Sequence, residues 1–288
     1  MYKIAILGSE NSHCLGFASV LAPKTGEKRF PDIELIGVAG DEASNRAVLE
    51  KTAVVRAETD PHAFLGEVDA VMVTARHGGN HLPFALPYME AGCKIWLDKP
   101  ITASVEAARD VVRIVKEKGL LLCGGSSLAG AEGTVAMKKL AEEKGDAVSG
   151  GHVTAPVNLV NEYGNFWFYS QHLVQMVTEV FGQSIRSVEA KLTGEGVRAV
   201  FRYPRYDVTA YFGTGYSIAV YLGGYGVETR RVDLGGEYFM PELNELAGML
   251  RENKVRQTPE EVVYPVFIID ALIRSMEKDG AETVPETV

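Results

Sequence analysis

The chain has 288 residues, 46% hydrophobic and 23% charged, enough to bury the core of one or two compact domains. A net charge of -9 excludes a sequence-independent nucleic-acid surface, which needs clustered Lys and Arg, and leaves small-molecule chemistry as the expectation. Three dispersed cysteines, Cys14, Cys93 and Cys123, form no CxxC pair; they indicate neither a disulfide framework nor a zinc cluster and fit a reducing cytoplasm.

A strand is expected from Lys3, which leaves no room for a signal segment ahead of it, and no apolar run reaches the roughly 18 residues that a membrane helix needs. The stretch "KIAILGSENSHCLGFA", Lys3 to Ala18, reads as buried strand, turn and helix, the context that makes Gly8 a dinucleotide-binding candidate. Reading GxGxxG from Gly8 puts Glu10 at the second glycine and His13 at the third. A carboxylate within about 4 Å of a phosphate charge costs about 4 kcal/mol at an effective dielectric near 20. Ser9, Asn11 and Ser12 can supply donors beside the helix N-terminus. The plainer reading is a strand-turn-helix with Asn11 or Ser12 as N-cap. After the second strand, in "ELIGVAG", Asp41 or Glu42 either binds adenosine ribose hydroxyls, which favours NAD over NADP, or caps a helix.

"DAVMVTA", "KIWLDKP" and "LLLCGG" are further strands, separated by the helical patterns "HLPFALPYMEAG" and "SVEAARDVVRIVKEKG". The second of these opens on Ser104 as N-cap and closes on Gly119. Such alternation implies an α/β domain over residues 1–124, a Rossmann-type doubly wound parallel sheet covered on both faces. Lys99, at the C-terminal end of a parallel strand, points to the edge where such sheets bind ligands; partly desolvated, its ammonium can exchange a proton with a substrate hydroxyl while Asp98 orients it.

Past "GGSSLAG" comes a helix in "AEGTVAMKKLAEEKG", then "SGGHVTAPVNLV", then the helical "FWFYSQHLVQMVTEVFG". Five alternating runs between Ile185 and Asp233 predict a largely antiparallel sheet, and two helices near Pro241–Asn253 and Glu260–Lys278 finish the chain. Residues 125–288 are thus expected to form an α+β substrate-binding and oligomerisation domain. Its strands hold Arg202, Tyr203, Arg205, Tyr206, Tyr211, Tyr216, Tyr221 and Tyr225, expected at a two-fold interface of a homodimer or homotetramer, with sugar stacking as the alternative. No spacing such as HxxxH with a carboxylate suggests a metal.

The stretch from Asp69 to Ser127 resembles the Gfo/Idh/MocA family of oxidoreductases, the glucose-fructose oxidoreductase and inositol dehydrogenase relatives. Thr74 at the end of its strand, His81 opening the next helix and the "DKP" of Asp98, Lys99 and Pro100 carry the likeness, with Asp where the family has Glu. The resemblance implies that the loop holding Asn80 and His81 passes beside a nicotinamide ribose, although Asn80 can equally cap the following helix. It also implies that His172, in "GNFWFYSQHLVQMV", takes the place of a substrate-domain His. Phe168 and Gln175 stand where the family often has acids, so His172 lacks its usual acidic partner; Tyr169 beside it can share acid-base work. The implied activity is NAD(P)-dependent hydride transfer to or from a hydroxyl-bearing carbon of a sugar, polyol or cyclitol. Two alternatives remain: a binding or regulatory protein with a degraded dinucleotide site, and a lyase or glycosidase using transient oxidation by tightly held NAD.

Overall fold

A computed structural model describes all 288 residues, which divide into two compact units. The first contains Met1–Gly124 and Phe239–Val262. Its strands β1 (Tyr2–Leu7), β2 (Ile33–Ala39), β3 (Ala57–Glu58), β4 (Ala70–Val73), β5 (Lys94–Asp98) and β6 (Leu122–Gly125) lie in the order β3-β2-β1-β4-β5-β6. The pairings of β1 with β2 and β4, of β2 with β3 and of β4 with β5 are all parallel. Strand order reverses beside β1, which makes the ends of β1 and β4 the switch point where doubly wound sheets bind ligands. Ile4 to Leu7 are fully buried, as an interior parallel strand covered on both faces requires.

The crossovers are helices α1 (Ser12–Leu21), α2 (Glu42–Lys51), α3 (His81–Glu90) and α4 (Val105–Lys118). Helix α4 buries Val105, Ala108, Val111, Val112 and Val115 along one stripe. The Ser104 hydroxyl accepts from Ala107 N at 3.1 Å, and Gly119 ends the helix at φ 64°, both as the sequence predicts.

The second unit, Gly125–Tyr238 and Val263–Val288, opens with α5 (Glu132–Lys144). Its other elements up to residue 231 are β7 (Val148–Ala155), α6 (Phe166–Phe181), β8 (Ser187–Thr193), β9 (Gly196–Arg202), β10 (Asp207–Phe212), β11 (Ser217–Leu222) and β12 (Gly226–Arg231). The strands lie in the order β12-β11-β7-β10-β9-β8, antiparallel except where β7 pairs with β10. β7 occupies "VSGGHVTA", to which the sequence pattern assigns no element. Gly150 and Gly151 break its apolar alternation, and at Gly151 the Phe181 ring occupies the space a side chain would need. Tyr203, expected at an interface or a sugar, is instead buried: its ring stacks on Tyr206 at 5.5 Å beside Phe181, and its hydroxyl donates to Gly182 O at 2.8 Å.

The expected division at 1–124 and 125–288 requires one correction. After the second sheet the chain returns to the first unit as α7 (Met240–Glu252), before α8 (Pro259–Glu277) joins the second core. Leu243, Leu246, Ala247, Met249 and Leu250 of α7 share a core with Ile4, Ile6, Phe17 and Trp96, and Arg251 Nε donates to Asp32 at 2.7 Å. The apolar period of "ELNELAGML" specifies a buried face without specifying which core it enters.

Candidate active site

The in-register ends of β1, β4 and β5 bring the Gly8 turn, Thr74 and Asp98 to one edge of the first sheet. Gly8 and Ser9 both donate their amides to Ala39 O, at 2.8 and 2.9 Å, which ties the turn to the end of β2. Gly8 has φ +102°, and a Cβ there would strike the Ala75 amide, so only glycine lets β1 turn this close to the loop after β4. The fully buried Thr74 hydroxyl reaches Gly8 O at 2.9 Å and clasps the same two strand ends.

The side chains expected to bind phosphate are largely occupied within the protein. Ser9 Oγ donates to Asn45 Oδ1 at 2.8 Å. Asn11 caps α1, its Oδ1 accepting from His13 N at 3.2 Å, while its Nδ2 donates to Asp98 Oδ2 at 3.0 Å. Ser12 is exposed in the first turn of α1. Glu10 Oε1 accepts from the Arg76 amide at 3.1 Å, which holds the carboxylate to the loop after β4. Asp41 caps α2, accepting from Ala43 N at 3.0 Å and Ser44 N at 2.9 Å; Ser44, foremost, and Ala43 hold its carboxyl below the usual range. What the turn offers a dinucleotide's phosphates is the N-terminus of α1 and the exposed Ser12, with the Glu10 carboxylate an unfavourable charge beside them.

The "DKP" tripeptide ends β5, with a cis Lys99–Pro100 bond. Asp98 is fully buried, with His13 Nδ1 2.8 Å from its Oδ2. Burial works to raise the Asp98 carboxyl; the His13 ring, with Lys99, outweighs burial and holds it below the usual carboxylate range. Its other oxygen, Oδ1, is buried without a hydrogen-bond partner. Lys99 is 3% exposed, and burial pushes its ammonium below the ordinary lysine value; Arg76 adds to this while Asp98 and Glu242 oppose it. The result is a desolvated lysine with reduced proton affinity at the carboxyl end of a parallel strand.

Two expectations for the loop after β4 need correction. His81 is fully buried, Nε2 2.7 Å from Ala75 O and Nδ1 3.2 Å from Ile101 O, and burial holds its imidazole below the ordinary value. It braces the loops that follow β4 and β5 from inside rather than lining the edge. Asn80 is exposed and makes no side-chain capping bond to α3; its backbone is already helical there. His77 caps instead, its Nδ1 accepting from Gly79 N at 2.9 Å at the start of a 3-10 turn over Gly78–Asn80.

In the second unit, α6 carries Tyr169 and His172, whose rings lie 5.3 Å apart, with the Tyr216 ring 6.1 Å beyond His172. Burial, with Tyr169 and Tyr238 nearby, pushes the Tyr216 phenol up to about 12. His172 has a partner that its own helix did not supply: Ser126 Oγ lies 2.6 Å from Nδ1. Gln175, where the family often has an acid, accepts from Ser126 N at 2.8 Å and from Gln171 Nε2 at 3.2 Å. Gly125, at φ +117°, leaves room for the Gln175 amide, which a Cβ would meet at 2.5 Å. Sequence reasoning missed Ser126 and the contact of His13 with Asp98; the available signals were a serine pair just past a parallel strand and a histidine where a glycine belongs.

Residues 3–125 match the family GFO_IDH_MocA, described as "Oxidoreductase family, NAD-binding Rossmann fold". This segment belongs to the Gfo/Idh/MocA family. Over the whole chain the fold is shared with solved structures at low identity. GenD2 from gentamicin A biosynthesis, crystallised with NAD, is 17% identical, with 99% of this chain and 97% of that chain covered and a TM-score of 0.83. Scyllo-inositol dehydrogenase from Lactobacillus casei, with bound NAD(H) and scyllo-inositol, is 15% identical over 98% of this chain and 99% of that chain, TM-score 0.80. Myo-inositol 2-dehydrogenase from Lactobacillus plantarum is 13% identical over 99% of both chains, TM-score 0.83. No curated protein matches by sequence. No helix is long and apolar enough to cross a membrane.

Proposed function

We propose that this chain is an NAD-dependent oxidoreductase that moves hydride between nicotinamide and the hydroxyl-bearing carbon of a sugar, polyol or cyclitol. The observation that carries the reading is Lys99: a lysine buried at the carboxyl end of β5, its proton affinity lowered, in a Gfo/Idh/MocA Rossmann domain. Bound NAD would supply the hydride acceptor for the oxidation direction. Gly8, Ser12 and the turn between them would hold its phosphates, with Thr74 keeping the turn in place and Asn80 exposed on the neighbouring loop. The acid at Asp41 favours NAD over NADP, because it would repel a 2'-phosphate. Lys99 takes the substrate hydroxyl proton as the oxidation proceeds and returns it in the reverse direction, with Asp98 setting its charge state. His172 and Tyr169 are assigned to binding substrate hydroxyls. The solved relatives bound to NAD, and in one case to scyllo-inositol, support this substrate class.

We also place the protein in the cytoplasm, where its three buried cysteines stay reduced, as a homodimer or homotetramer formed through the second sheet. Calorimetric titration with NAD and NADP, followed by a polyol panel monitored at the NADH absorbance, tests the proposal. Lys99→Ala should stay folded and lose about 10²–10⁴-fold in turnover. A folded wild type that binds neither dinucleotide defeats the reading and leaves a binding protein. Turnover without net NADH, with NAD co-purifying, moves it to transient oxidation.

A further inference from the structure

We propose that Ser126 fixes His172 as the neutral Nε2–H tautomer, so that His172 meets its substrate as a hydrogen-bond donor and not as a base. A serine hydroxyl has one hydrogen to give and two lone pairs to receive. Ser126 Oγ receives the Leu128 amide at 3.2 Å, which caps the 3-10 turn over Ser127–Ala129. Ser126 is 3% exposed, which turns its hydroxyl away from bulk water, and the acceptor within reach is His172 Nδ1 at 2.6 Å. The hydrogen therefore points at Nδ1, and the ring carries its own hydrogen on Nε2.

The surroundings hold this arrangement rigidly. Gln175 Oε1 accepts the Ser126 amide, the absence of a Cβ at Gly125 lets the glutamine approach, and Gln171 Nε2 donates to the same oxygen. Ser126 is thereby pinned by its own amide while its side chain faces the ring. A carboxylate in the place of Ser126 Oγ would favour Nδ1–H and a more basic imidazole; a hydroxyl donor does the opposite. Protonation of Nδ1 would leave the Ser126 hydrogen buried without an acceptor, which opposes the imidazolium.

The consequence deepens the proposed function and rests on it in one respect. If the substrate is a polyol or its ketone, His172 recognises an oxygen with a lone pair to offer, and Lys99 is left as the proton-exchanging group. Ser126 is a positioning residue that acts through the ring.

Nitrogen NMR of the full chain labelled with 15N-histidine tests the tautomer without cofactor or substrate, so failure of the redox reading leaves this result intact. Loss of one ring system in His172→Gln assigns the signals among the six histidines. At neutral pH the expected His172 pattern is a pyridine-type Nδ1 and a pyrrole-type Nε2. In Ser126→Ala, both ring nitrogens should move toward the averaged positions of a ring that exchanges between tautomers, because the hydroxyl that holds Nδ1 as an acceptor is lost; Ser126→Thr should restore the wild-type pattern. A pyrrole-type Nδ1 or an imidazolium in the wild type overturns the proposal. So does a Ser126→Ala spectrum with Nδ1 unmoved, and if that variant does not fold, the wild-type tautomer decides alone.

Discussion

Asp98→Asn isolates the charge at the end of β5. The amide has nearly the shape of the carboxylate and can still accept from Asn11 Nδ2, so the change removes mainly the negative charge beside His13 and Lys99. Removing the carboxylate takes from the buried Lys99 ammonium the strongest influence that offsets its desolvation, and losing one charge of such a buried pairing costs about 3–5 kcal/mol. On a chain of this length each kcal/mol lowers Tm by about 2–4 °C, so a fall of about 6–20 °C at neutral pH is expected. The native Asp98 carboxyl lies below its ordinary value, so its contribution is complete above that value and is lost as pH falls through the native one. Melts of wild type and variant should therefore differ by a constant gap from about pH 8 to about pH 5, with the gap closing only below about pH 4. The variant also removes the strongest influence raising the proton affinity of Lys99, so its already lowered pKa should fall further. Equal melting temperatures at neutral pH, or a gap that widens on acidification, would refute the reasoning.

Gly8→Ala forces a Cβ into φ +102° and against the Ala75 amide, so a loss above about 2 kcal/mol is expected in urea unfolding; an unchanged midpoint contradicts the packing described. Glu10→Gly should cost about 1–3 kcal/mol through loss of the Arg76 amide bond, yet tighten NAD binding by about tenfold or more in calorimetry; unchanged or weaker binding would mean that Glu10 does not oppose the phosphates. Leu246→Ala should cost about 3–5 kcal/mol, with amide-exchange protection falling in β1 and α1 rather than in β9; the opposite pattern would place α7 in the wrong core.

Features set within a few residues were legible in the sequence. Ser104 capping α4, Gly119 ending it and Asn11 capping α1 depend on contacts inside one segment, and a cap reading for Asp41 was already available. The parallel strands were legible because burial on both faces leaves continuous apolar runs. The relations that shape the site were not, because each joins distant positions. Asn11 meets Asp98 across 87 residues and Ser126 meets His172 across 46, and neither partner carries a local mark of the other. Asn80 misled for a related reason: the residue type favours a cap, but the 3-10 turn before α3 leaves its backbone already helical and gives the capping role to His77. The substitutions at Phe168 and Gln175 signalled a His172 stripped of its acid; the sequence did not reveal that Ser126, just past β6, supplies a hydroxyl in its place.

The return of α7 to the first unit bears on synthesis at the ribosome. Residues up to Gly124 leave the exit tunnel with every strand of their sheet but without Leu243, Leu246 and Leu250, which complete the core around Ile4, Phe17 and Trp96. At about 5–20 residues per second, the roughly 130 residues before the end of α7 take about 6–26 s to make. For that interval the nascent dinucleotide domain presents an uncovered apolar face to the cell. The expected consequences of this chain order are chaperone dependence during translation and insoluble product from C-terminal truncations made before residue 252.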